Sequence, residues 1–322
     1  MKRNEAIDIL KFVAVVLVAH SHMDMLYPRY SYVCTGGAIG DAIFFFISGY
    51  ALFSSCRGRF DSWYKRRIQR IYPTILAWAV LSCAVFGNNR NAVDILLFGG
   101  GYFVSCIMIF YVLIYWIDRY LKDYISLICV ICLSLIVCLF ALNSSALTDN
   151  MYSSRSIAWP IWNFMCMLVG TKVVLHDYRN EPLKQHAWYI EMMLLVAYLI
   201  AYYLILYGAK SLQLQWIQIV GMIPLIGIVY HLYMLMQSDV VQKIYHVRGI
   251  KSIAYGLGQL CLEVYVVQYN VFTSKWNEYF PYNVLYAWLA IFGLAYVLKV
   301  CGNFVAQTFR TEEYNWKKMF KL

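Results

Sequence analysis

Apolar stretches of roughly membrane-spanning length follow one another along almost the whole chain, and they leave few folds open to it. A transmembrane helix needs about 20 predominantly apolar residues. Runs that meet or approach this length can be drawn at 6–27, 36–55, 72–87, 100–118, 123–142, 157–175, 187–207, 217–236, 253–273 and 284–307. The pattern predicts an all-α fold, a polytopic transmembrane bundle of about ten helices. Composition points the same way: 62% of the 322 residues are hydrophobic and 14% charged, with a mean hydropathy of +0.58. A soluble globule cannot cover that much apolar side chain with so little polar surface.

The basic residues predict an orientation. With the N-terminus placed inside, 20 of the 27 Lys and Arg fall in cytoplasmic segments and five outside, while Lys11 and Lys299 are intramembrane. Such positive-inside asymmetry puts both the N-terminus and the C-terminus in the cytoplasm. It also accounts for the net charge of +10 without a nucleic-acid partner. The first apolar run is too long for a signal peptide and lacks a small-residue cleavage site, so it is expected to remain as the first helix. The expectation is a single transmembrane domain over 1–322 with no appended soluble domain. The ten cysteines are scattered, most of them inside spans, and read as small buried hydrophobes rather than disulfides or metal ligands. No metal site is expected.

Lys11 and His22 stand in the run AIDILKFVAVVLVAHSHMDML, where ionisable side chains are costly. At about 100° per residue, eleven steps return His22 to within about 20° of Lys11, and Asp8 falls on the same face. That stripe must face a protein interior or a watery cavity, and it marks a site. Two further stretches accompany it: GDAIFFFISGYALF over 40–53, and RRIQRIYP over 66–73, which begins in the basic loop 56–71.

In this order and spacing the three stretches resemble the acyltransferase family 3 membrane proteins, which acylate sugars and other envelope molecules. That family carries an Arg- or Lys-x10-His first helix, a G-x-x-x-FF-x-x-SG-[FY] second helix and an R-x-x-R-I-x-P loop. Lys11 and His22, Gly40 through Tyr50, and Arg67 and Arg70 before Pro73 correspond to these. Later stretches match more loosely. Tyr102 stands for a Trp in YFVSCIMIFYVLIYW, and Gln268 holds the usual histidine position in GQLCLEVYVVQ.

The resemblance implies His22 as a general base that activates a hydroxyl for attack on an acyl thioester, a task suited to imidazole. Lys11 lies about 16 Å from His22 along the axis, on the cytoplasmic side, too far to orient it. It is expected to line the path of the donor together with Arg67 and Arg70, whose guanidiniums suit phosphate. Asp41 stands at about the depth of His22 by counting from the outer ends, and an Asp–His pair would fix the tautomer and stabilise imidazolium. Asp8, Ser48, Glu263, Tyr265 and Gln268 are candidates for lining the cavity. For Asp8 a salt bridge with Lys11 is the alternative, and for Ser48-Gly49 the simplest role is close helix approach. His20 points away from His22 and is expected to bond a neighbouring helix. Glu191 and Lys299 can snorkel, and His231 can cap a local carbonyl.

The function expected is an integral-membrane O-acyltransferase of the cell (inner or plasma) membrane. It would move an acyl group, acetyl above all, from cytosolic acetyl-CoA or another acyl-CoA to a hydroxyl of a cell-envelope carbohydrate. The acyl-CoA is a donor substrate, not a resident cofactor. The other expected partners are the lipid bilayer and the carbohydrate acceptor, with room for a homo-oligomer or a glycan-synthesis complex. An exporter or transporter of polysaccharide or small molecules on the same scaffold is the alternative. It predicts inverted repeats and broken helices with midplane ion sites.

Overall fold

The computed structural model describes residues 4–53, 58–87, 91, 93–95, 99, 101–142, 156–178, 183 and 186–322. The expected outer loop 143–154, the first part of the basic loop and most of the inner loop 176–185 lie outside the described residues. Among the described residues the chain is helical, with no strand. The helices are α1 (Glu5–Ser21), α2 (Gly37–Phe53), α3 (Phe60–Phe86), α4 (Gly101–Trp116), α5 (Ile125–Leu142), α6 (Ala158–Tyr178) and α7 (Trp188–Ser211). They continue as α8 (Met222–Met236), α9 (Asp239–Tyr245), α10 (Arg248–Gly258), α11 (Cys261–Val271), α12 (Tyr282–Thr308) and the short α13 (Trp316–Met319).

Seven helical segments are long and apolar enough to cross a membrane, or eight if one bent pair is taken as a single span; the expectation was about ten. Three features make the difference. Helix α1 has only 17 residues and stops at Ser21, whose hydroxyl donates to the Val18 carbonyl at 2.7 Å. The stretches drawn at 100–118 and 123–142 run on as one segment, Gly101–Leu142, through a π-helical turn (Ile117–Leu121) and a 3-10 turn (Lys122–Tyr124). The stretch 253–273 is broken: α10 and α11 meet at 75°. The chain is nonetheless a multi-pass membrane protein.

A further difference concerns α3. Residues 60–71, expected in a loop, are helical, and α3 continues through Pro73 for 27 residues in all. Its first turns carry Lys65, Arg66 and Arg70, all exposed, and a buried Trp63.

The chain forms two compact units. The first comprises 1–10, 41–57 and 110–251, the second 11–40, 58–109 and 252–322. In the first unit α5 packs on α6 and α7 on α8. Helices α2 and α6 touch backbone to backbone: a Cβ on Gly49 would overlap the Met167 carbonyl, and one on Gly170 would overlap the Phe46 carbonyl. Small residues let membrane helices approach this closely. Gly170→Ala should therefore destabilise the protein by about 1–3 kcal/mol. Gly293→Ala, where an added Cβ meets nothing within 4 Å, serves as the neutral control. Melting of the detergent-solubilised variants checks this, and equal midpoints would refute the close contact.

Two polar side chains of this unit differ from expectation. Glu191 does not snorkel: it is 1% exposed and accepts from His186 Nδ1 at 3.0 Å and from the His186 backbone N–H at 3.3 Å. Among the described residues His231 caps no carbonyl; its Nδ1 lies 2.7 Å from the other Glu191 oxygen, and its ring stacks on Tyr198. A buried carboxylate has to find such partners, and they come from a neighbouring helix and a loop.

In the second unit α3, α11 and α12 pack against one another. The C-terminal part of α1 lies on the start of α2, where a Cβ on Gly40 would press 2.6 Å from a Val18 methyl and 3.1 Å from the Ala14 carbonyl.

Candidate active site

The second unit holds most of the expected site. His22 follows the last residue of α1, half-buried, and its Nε2 lies 3.0 Å from the Tyr269 hydroxyl near the end of α11. The two rings sit 5.0 Å apart at a tilt of 54°. Asp24, two residues on in the 3-10 turn Asp24–Leu26, acts electrostatically on the same imidazole. His20 bonds the Tyr27 hydroxyl at 3.2 Å, in the loop that follows rather than on a neighbouring helix.

Helices α1 and α11 run side by side in the same direction. At one end the Cys261 Sγ lies 3.9 Å from the Lys11 carbonyl, and at the other Tyr269 meets His22. At about 100° per residue, Cys261, Tyr265, Gln268 and Tyr269 fall within an arc of about 100° on α11. Three of the expected residues, Lys11, Gln268 and His22, thus follow one seam from end to end. Gln268 is fully buried, and neither its amide nitrogen nor its amide oxygen finds a partner among the described residues. An amide left so costs on the order of 1–3 kcal/mol, which marks it as a group kept for something other than stability. Tyr265 accepts from the Phe103 backbone N–H at 3.3 Å and packs on the Phe103 ring.

Glu263 points the other way, about 160° round α11 from Tyr265. It is 1% exposed, and its Oε1 accepts from Lys299 Nζ of α12 at 3.0 Å and from Thr74 Oγ1 of α3 at 3.3 Å. Lys299 is therefore an ion-pair partner rather than a snorkelling cation. Glu263 Oε2 is buried with no partner among the described residues. Thr74 links this cluster to α3, the helix that carries the arginines. Arg67 and Arg70 precede it by seven and four residues, so all three lie on one stripe of α3, within about 60°. The Arg67 guanidinium sits over the Trp63 ring at 5.0 Å, half-buried, and Arg70 is exposed. Lys11, Lys299 and Glu263 all act electrostatically on the Cys261 sulfur. Lys11 and Lys299 thus both lie near Cys261, at the end of the seam away from the imidazole.

Asp8, Asp41 and Ser48 belong to the first unit. Asp8 is buried. Asp41 is half-buried near the start of α2 and makes no hydrogen bond or ion pair with any described residue. Ser48 is half-buried next to Gly49, at the closest approach of α2 to α6. Sequence reasoning did not find Tyr269 or Asp24. Tyr269 lies one residue beyond the motif-like stretch 258–268, and Asp24 lies beyond the end of the Asp8, Lys11 and His22 stripe.

Helices that cross a membrane and close on buried charges, an amide and an imidazole put the chain among polytopic membrane proteins with an internal polar site. It belongs to the acyltransferase family 3: the family model, an acyltransferase domain, matches residues 4–305, nearly the whole chain. It is a membrane acyltransferase. Neither the curated proteins nor the solved structures contain a match to it.

Proposed function

We propose that the chain takes an acyl group, acetyl in the simplest case, from cytosolic acyl-CoA and places it on a hydroxyl of a cell-envelope carbohydrate. The cell membrane is its site of action. The observation that carries this reading is the 3.0 Å contact between His22 Nε2 and the Tyr269 hydroxyl. It has the length and the atom types of the contact that an acceptor hydroxyl would make with a base. In the reaction the sugar oxygen attacks the thioester carbonyl as its proton passes to Nε2. The C–S bond then breaks, and the CoA thiolate takes that proton from the imidazolium. Asp24 favours the imidazolium while it lasts.

Lys11, Arg67 and Arg70 receive the phosphates and pantetheine of the donor at the other end of the seam. Their separation from the base suits a donor whose charged nucleotide and reacting thioester are far apart. Gln268, with two unengaged amide atoms, serves the carbonyl or the acceptor between them.

The test is mass spectrometry of envelope glycans from cells that carry the wild type, His22→Ala or no gene. The expected result is one additional acyl mass on a glycan in the wild type only. If the His22→Ala cells retain that mass, the base is elsewhere; if no glycan differs, the acceptor class is wrong.

A further inference from the structure

At the histidine end of the second unit, the link between α11 and α12 carries a cavity that the acyl-transfer chemistry does not use. Residues Ser274–Tyr279 form a 3-10 turn whose start is fixed by the Thr273 hydroxyl, which accepts from the Lys275 N–H at 3.3 Å. The cavity measures about 540 Å³ and is lined by Lys275, Trp276, Glu278 and Tyr279 of the turn and by Tyr286 of α12. All three rings are about half exposed. Trp276 and Tyr286 meet edge to face, with centroids 6.0 Å apart and planes at 77°, so they form a corner rather than a flat patch.

A cation and an anion stand beside this corner with nothing to do. Among the described residues, neither the Lys275 ammonium nor the Glu278 carboxylate makes a hydrogen bond or an ion pair. Aromatic residues at a membrane interface need no such company. Tyr and Trp of an interfacial belt anchor by setting their rings at the level of the headgroups. Here the rings border one open pocket with both signs of charge at hand. Apolar walls with a few convergent polar groups are the mark of a small-molecule site. Among ligands, a sugar matches this set most fully. Its C–H face stacks on an aromatic ring, while its hydroxyls donate to a carboxylate and accept from an ammonium.

The turn is tied to the segment that leaves the imidazole. Asn277 Nδ2 donates to the Met25 carbonyl at 2.9 Å, and Asn283 Nδ2 donates to the Leu26 carbonyl at 2.8 Å and to Asn277 Oδ1 at 3.1 Å. Tyr27 packs on Phe280 with centroids 5.6 Å apart. Met25 and Leu26 are three and four residues beyond His22. The platform and the base are therefore held by the same short stretch of chain, Met23 to Tyr27.

We propose that this cavity is a carbohydrate subsite, in which Trp276, Tyr279 and Tyr286 stack one sugar residue of the acceptor while Glu278 and Lys275 hold its hydroxyls. It would position a neighbouring sugar of the same glycan for attack. This rests on acyl transfer to a carbohydrate as the function.

The experiment measures acyl transfer by the detergent-purified full chain from acetyl-CoA to oligosaccharides released from the envelope glycan of cells lacking the gene. Trp276→Ala should raise the acceptor KM about tenfold, the equivalent of about 1.4 kcal/mol. Glu278→Gln should raise it several-fold, and the KM for acetyl-CoA should move in neither. Unchanged acceptor KM in both variants overturns the subsite. A fall in kcat alone also overturns it, since that would mean the turn serves only to hold the fold. Should Trp276→Ala not fold, Trp276→Phe and Glu278→Gln carry the same test. Should the wild type transfer no acyl group, the functional reading fails and the subsite is judged separately. Saturation-transfer NMR with maltotriose, cellotriose and chitotriose would then show a signal that Trp276→Phe and Glu278→Gln weaken, and absence of any signal in the wild type overturns the subsite as well.

Discussion

Lys299→Met should destabilise the protein by about 3–5 kcal/mol, the cost of stranding a buried carboxylate. Glu263 is 1% exposed, and among the described residues the ammonium at 3.0 Å is the one formal charge bonded to it; Thr74 adds a neutral donor at 3.3 Å. Without Lys299 the carboxylate must take up a proton or draw water into the contact between α3, α11 and α12. The double variant Glu263→Gln with Lys299→Met should recover most of the loss, because its amide oxygen still accepts from Thr74 and no charge remains. Glu263→Gln alone should cost less than Lys299→Met. The Lys299 side chain is 26% exposed, and its long stem lets a freed ammonium reach more polar surroundings. Unfolding midpoints of the purified variants, titrated with SDS, check the series. A Lys299→Met protein as stable as the wild type, or a double variant no better than the single, would refute the account.

The same ion pair matters for the site because of where it holds α11. Glu263 fastens one side of this helix to α3 and α12, and the opposite side carries the stripe of Tyr265, Gln268 and Tyr269 along α1. An eleven-residue helix set at 75° to the one before it depends on such side-chain contacts to fix its rotation. A turn of about 40°, less than half a residue step, would carry the Tyr269 hydroxyl away from His22. Stability and chemistry are thus coupled through one helix. This predicts that the double variant regains stability more fully than turnover.

Much of this was legible in the sequence, and the reason lies in periodicity and cost. Apolar runs of about twenty residues state their helices directly, and ionisable residues inside them state a site, since nothing else keeps a Lys, a His or a Glu there. What stayed hidden depends on partners far apart in the chain. Lys299 and Glu263 are 36 positions apart, His231 and Glu191 40, and Tyr269 and His22 247. No local pattern announces such pairs, so Lys299 and Glu191 read as snorkelling side chains. The start of α3 was missed for a different reason. A run rich in Arg and Lys with Pro73 ahead reads as a loop by composition, yet its arginines recur on one side of a helix. Only as a helix does the R-x-x-R-I-x-P order bring Arg67, Arg70 and Thr74 into line and connect a basic motif near residue 70 to an acid at 263.

The second large effect is expected at the imidazole itself. His22→Ala should lower kcat by about 10²–10⁴-fold, the usual worth of a positioned general base, and leave the KM for acyl-CoA nearly unchanged. The cations proposed to hold the donor lie away from His22, so removing the ring should not disturb donor binding. Tyr269→Phe distinguishes two ways of reading the 3.0 Å contact. If the tyrosine hydroxyl stands where the acceptor hydroxyl will stand, it leaves when the acceptor arrives, and its loss should cost about tenfold or less. If it relayed the proton, its loss would equal that of His22. The site geometry favours displacement: Tyr269 is 55% exposed, so its ring can swing outward from the imidazole without breaking the packing of α11. Steady-state kinetics on both variants, with folding checked by the SDS midpoint, decide the matter. A His22→Ala enzyme within tenfold of wild-type turnover would remove the base, and a Tyr269→Phe loss as deep as that of His22→Ala would make the phenol part of the proton path.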